Sequence, residues 1–141
     1  MMDFSKIFDG KFKKNDSSAL PDIERLESLI GISLPPDYKD FLLWSDGGEG
    51  EVGDLYLSMW TLNQLNDLNS LYSINKRMGE KFLGIGTDGG DYCFALDLRK
   101  KGEFVVVPLG ALGDDEIKKI DNSFFSGMEK IRDLIITGDD L

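Results

Sequence analysis

The 141-residue chain has no histidine and one cysteine, Cys93, and both scarcities narrow its chemistry. Without an imidazole there is no Ser-His-Asp or Cys-His nucleophilic machinery, no histidine-containing zinc site, and no side chain poised to exchange protons near neutral pH. A lone thiol closes no internal disulfide, which fits a reducing compartment. Its place inside an apolar strand pattern makes Cys93 a packing residue rather than a nucleophile. Basic residues are outnumbered: 16 Lys and Arg stand against 26 Asp and Glu, a formal net charge of −10. Such a field repels phosphate backbones, which argues against direct nucleic-acid binding, and it favours a basic partner. Long apolar runs are missing as well. Stretches such as Phe104 to Leu109 fall far short of the roughly 20 residues a membrane helix needs, so no membrane insertion is expected. The opening MMDFSKIFDGKFKKNDSS lacks the apolar core of a secretory signal. A cytoplasmic location is the expectation.

Hydrophobic residues make up 41% of the chain, enough for the core of one domain. Residues 1–19 read as a variable lead-in, with Phe4, Ile7, Phe8 and Phe12 on one short amphipathic turn and little more. From Leu20 the pattern becomes regular. Ile23, Leu26 and Ile30 recur at helical spacing behind an acidic first turn, and Gly31 ends the helix. Pro36 starts a second helix carrying Tyr38, Phe41 and Leu42, with Trp44 assigned to the core and Gly47-Gly48 stopping it. Asp46 to Gly53 reads as a Gly-rich loop, and Val52 to Met59 as a strand with Leu55 and Leu57 on one face and Tyr56 on the other. Thr61 can cap a third helix bearing Leu62, Leu65, Leu68 and Tyr72, with Asn63, Asn66, Asp67 and Asn69 as its wet side. Three strands follow, Phe82–Gly86, Tyr92–Leu98 and Glu103–Leu109, whose short turn-rich links predict antiparallel hairpins. In the middle one, the small-residue face of Cys93 and Ala95 invites close approach by a helix. A last helix bears Phe124, Met128, Ile131 and Ile135 after Ser123, and residues 138–141 fray. The expectation is a single α+β domain over residues 20–137, an antiparallel β-sheet packed with N-terminal and C-terminal helices.

The block LPPDYKDFLLWSDGG, the pair LYLSMWTLNQL, the hairpin FLGIGTDGGDYCFALDLR and the closing SFFSGMEKI occur in an order that resembles the SUKH superfamily. That superfamily includes fungal cell-wall-synthesis regulators of the Smi/Knr type and many bacterial immunity proteins. One departure is Ser45-Asp46-Gly47-Gly48, where Asn-Gly-Gly is more usual, which adds a carboxylate at the helix end. The resemblance implies a non-enzymatic protein-binding domain that neutralises a toxin, often a nuclease, by stoichiometric binding. The alternative it implies is a regulatory scaffold that binds an endogenous protein.

Other chemistries find little support. Gly84 to Gly90 lacks the Lys-Ser/Thr pair of a phosphate loop and leads into a strand, so its glycines serve a hairpin turn and no cofactor is expected. Asp46, Glu49, Glu51 and Asp54 place Gly48 and Gly50 where calcium ligands should stand, so the cluster reads as a solvated acidic loop and no metal is expected. Trp60 is either core or an interface anchor. The candidate partner-binding residues are therefore Asp46, Glu49, Glu51, Asp54, Trp60, Asp88 and Asp91, facing a basic toxin domain.

Overall fold

The computed structural model describes residues 2–141, so that Met1 of the lead-in lies outside the described residues. Its seven strands are β1 (Phe12–Lys14), β2 (Gly48–Val52), β3 (Leu55–Met59), β4 (Phe82–Thr87), β5 (Tyr92–Asp97), β6 (Glu103–Pro108) and β7 (Lys118–Asp121). They form one antiparallel sheet in sequential order. The five α-helices are α1 (Leu20–Ile30), α2 (Pro36–Trp44), α3 (Leu62–Leu71), α4 (Ile74–Met78) and α5 (Phe124–Arg132). The α+β class and the hairpins expected of the sequence are both present.

Local chemistry sets the boundaries. Gly31 adopts φ 70°, where its N–H closes on the Glu27 carbonyl and ends α1. Pro36 opens α2, whose first turn needs no proline N–H. Thr61 and Gln64 exchange hydrogen bonds as a capping box at the start of α3. Helix α5 stops at Arg132, short of Ile135, which is 63% exposed and not part of the expected stripe.

One sheet face is closed by aromatic side chains. Phe104 of β6 meets Phe124 of α5 edge-on at 5.3 Å, and Phe124 meets Phe41 and Tyr38 of α2 at 5.4 and 5.3 Å. Gly127 of α5 sits directly on the Phe104 ring, where any Cβ would collide. The lead-in belongs to this core: Phe4, Ile7 and Phe8 are all buried, Phe4 touches Phe41, Phe124 and Phe125, and Phe12 begins a strand. The expected helical turn understates it, because apolar side chains this far from the main helices found their partners only through tertiary packing. Trp44 is half-buried rather than enclosed, lying against Phe8 and Phe41 with the Lys14 ammonium 5.5 Å from its ring centre.

The other face is covered only in part. Helices α3 and α4 lie over β4, where Gly84 leaves room for Ile74, Trp60 and Cys93, so the predicted close approach at the small-residue face occurs. Strand β3 pairs with β4 only at Ser58–Thr87 and Met59–Gly86. Beyond that short ladder Asn69 of α3 takes the place of a strand. Its carbonyl accepts from Gly84 N–H at 2.8 Å, and its amide donates to the carbonyls of Gly84 at 2.9 Å and Leu65 at 2.7 Å. Asn69 is therefore buried, not on the wet side of α3, because the interrupted ladder leaves backbone groups that need partners. Farther along, Arg99 bridges the buried Asp97, at 2.9 and 3.1 Å, to Asp114 at 3.1 Å. These bonds raise the Arg99 pKa above its ordinary value and tie the segment 109–117 to the end of β5. The C-terminus is more ordered than a frayed end, since Thr137 and Asp140 close a capping box around a 3₁₀ turn.

Candidate protein-binding surface

Asp46 to Gly53, expected as a loop, is largely strand β2, and this changes where its carboxylates point. Alternation along GEGEV buries Gly48, Gly50 and Val52 and turns Glu49 and Glu51 outward. Gly50 holds φ 149° against the β1 backbone, a conformation and a closeness that exclude a side chain. Across the ladder Glu49 faces Lys13 and Ser58, and Glu51 faces Tyr56. The Tyr56 hydroxyl donates to the Glu49 carboxylate at 3.0 Å, and Lys11 pairs with Glu51 at 3.1 Å. The Glu49 bond pushes the exposed Tyr56 phenol above its ordinary pKa. No helix covers these residues, so β1–β3 presents an open polar face with Tyr56 42% exposed.

The turn between β4 and β5 folds beside this face, since a Cβ on Gly89 would lie 3.1 Å from the Tyr56 ring. Asp88 shapes that turn by accepting from Gly90 N–H at 2.9 Å and Tyr92 N–H at 3.2 Å. Asp91 is exposed at the same turn. Four of the anticipated residues, Glu49, Glu51, Asp88 and Asp91, are thus joined through Tyr56 and Gly89.

The others are elsewhere. Asp46 accepts from Leu62 N–H at 2.8 Å, satisfying a backbone donor at the start of α3. Asp54 lies at the β2–β3 turn and accepts from Gly138 N–H at 3.3 Å. Trp60 is only 4% exposed and stacks on Tyr72 at 6.0 Å, so of its two readings the core one holds and it leaves the surface set. Tyr56, Lys11 and Lys13 belong to the face without having been singled out from the sequence. The strict alternation of GEGEV opposite LYLSM was the signal that could have found Tyr56; Lys11 and Lys13 join the face only through the pairing of β1 with β2.

Cys93 is fully buried, and burial pushes its thiol up to about 12, far from a reactive thiolate. Among the described residues no three His, Cys, Asp or Glu side chains converge as a metal site, and no helix is long and apolar enough to cross a membrane. The arrangement suits recognition by shape and charge. The family model described as SMI1 / KNR4 family (SUKH-1) matches residues 20–130. No curated protein matches the chain.

Proposed function

The chain belongs to the SMI1 / KNR4 family (SUKH-1), generally non-catalytic proteins with protein-binding immunity or regulatory roles, and on that premise we propose that it is an immunity protein. It neutralises a basic toxin domain, a nuclease foremost, by stoichiometric binding in the cytoplasm. The observation that carries this reading is the uncovered β1–β3 face, where Glu49 and Glu51 stand around Tyr56 with the Asp88–Asp91 turn alongside. A tyrosine framed by carboxylates offers a flat apolar contact and acceptors for Lys or Arg. With a net charge of −10 behind it, this face speeds encounter with a basic protein and covers the surface that would grip phosphates.

Affinity capture from the native cell, followed by co-expression with the captured protein, tests the reading. A basic toxin domain whose toxicity is abolished by one equivalent of the chain is expected. Capture of a non-toxic endogenous protein instead favours the regulatory scaffold. Against the captured toxin, Glu49→Gln, Glu51→Gln and Asp91→Asn should each slow association and flatten its salt dependence while leaving thermal melts unchanged. Unaltered association in all three variants places the contact elsewhere.

A further inference from the structure

Helices α1 and α3 lie side by side with their N-terminal ends together, and the cleft between them remains open. Its wider part, about 470 Å³, is lined at one end by Asp22, Asp46 and Leu62. It continues past Leu29 and Asn66 into a narrower part of about 210 Å³ that ends at Asn75 and Glu80. Leu26 and Leu62 form a buried apolar floor, whereas Leu29 rises from it 69% exposed. Four carboxylates, Asp22, Asp46, Asp67 and Glu80, line the two parts against one guanidinium, Arg25, which is bound to Asp22 at 2.8 Å. Among the described residues Asp67 and Glu80 form no ion pair.

We propose that this cleft seats one basic amphipathic helix of a protein partner, with an apolar side chain against Leu26, Leu29 and Leu62 and cationic side chains at Asp67 and Glu80. The chemistry of the partner rests on the preceding reading that the chain binds a basic protein; the location does not. Charge complementarity selects the occupant. A phosphate-bearing ligand meets the carboxylate rim, and a second copy of this chain brings its own net charge of −10. The 11 residues of α1 span roughly 16 Å, which matches about three turns of a docked helix. An apolar anchor flanked by Lys or Arg is the helix-in-groove mode, with the exposed Leu29 as the contact that water now covers.

The probe is a fluorescein-labelled 18-residue Leu/Lys peptide with helical amphipathic spacing, read by anisotropy, with a scrambled Leu/Lys peptide of the same composition as comparator. The amphipathic peptide should bind, and amide shifts in a nitrogen-15 spectrum should gather on α1 and α3. Leu29→Ser should weaken binding about fivefold, as loss of one apolar contact does. The double variant Asp67→Asn/Glu80→Gln should weaken it about tenfold at low salt, while a charge-matched control at exposed carboxylates outside the cleft, Asp9→Asn/Asp139→Asn, moves it less than about twofold. Absence of binding overturns the proposal. So does equal binding of the scrambled peptide, or equal weakening by the control pair. Because the probe needs no toxin, its failure leaves the immunity reading standing, and failure to capture a basic toxin leaves the mapped cleft standing.

Discussion

On one side of the sheet Phe94 and Phe104 are sealed beneath Phe124, Phe41 and Phe4, each of them buried. On the other side, over β1–β3, Lys13, Glu49, Glu51 and Tyr56 stand in water. The same strands serve both faces, because successive residues point in opposite directions, so a single segment such as GEGEV contributes to the core and to the surface. What separates the faces is the supply of covering helices. The aromatic face receives α2, α5 and the lead-in, whereas α3 and α4 reach only as far as β4 on the other. A sheet face left uncovered by its own chain and furnished with paired charges can be altered without disturbing the core, and that freedom suits a surface that meets a partner.

Substitutions on the two faces should therefore separate widely. Phe41→Ala removes a fully buried ring that touches Phe4, Phe8, Tyr38 and Phe124, and it should destabilise by about 3 kcal/mol or more. Glu51→Gln on the open face should change stability by less than about 0.5 kcal/mol, since an exposed ion pair with Lys11 contributes little. Chemical denaturation of both variants decides the matter, and similar losses would erase the distinction between the faces.

A smaller effect tests the boundary between the covered and open regions. Asn69→Leu leaves Gly84 N–H and C=O without their side-chain partner in a buried setting, where each unsatisfied group costs about 1–3 kcal/mol. A loss of about 2 kcal/mol and faster hydrogen exchange at the Gly84 amide are expected. Unchanged exchange there would show that water substitutes for the amide.

The last effect appears only at alkaline pH. The Cys93 thiol is raised by burial from an ordinary value near 9.0 to about 12 in the folded chain. A raised folded pKa means that its contribution to stability is intact below about pH 9 and is lost as pH rises toward 12, because the unfolded thiol ionises first. Tyr38, also raised by burial, adds to the decline in the same direction. Denaturation midpoints at pH 7 and pH 10.5 should therefore fall less for Cys93→Ala than for the parent chain. An equal fall would assign the alkaline loss to other groups.

The helices α1, α2 and α3 and the β4–β5–β6 hairpins were legible because their signals are local: a proline in the first turn of α1 and α2, a capping threonine at the start of α3, a glycine at the end of α1, and apolar residues at the period of the element. The family was legible in the order of its motifs. Strand β2 was not, since glycines at alternate positions mimic a loop until β1 and β3 are there to pair with them. Of the candidate surface, the sequence supplied the carboxylates but not their grouping. Asp46 at the start of α3 and Asp54 beside Gly138 look the same in sequence as Glu49 and Glu51, because a carboxylate shows its charge locally and its hydrogen-bond donor only after folding. Composition and periodicity thus determined an acidic α+β domain with no histidine chemistry. Which carboxylates face a partner, whether Trp60 is buried, and how far the lead-in enters the core were decided by tertiary packing, since each depends on groups distant along the chain that only the closed sheet brings into contact.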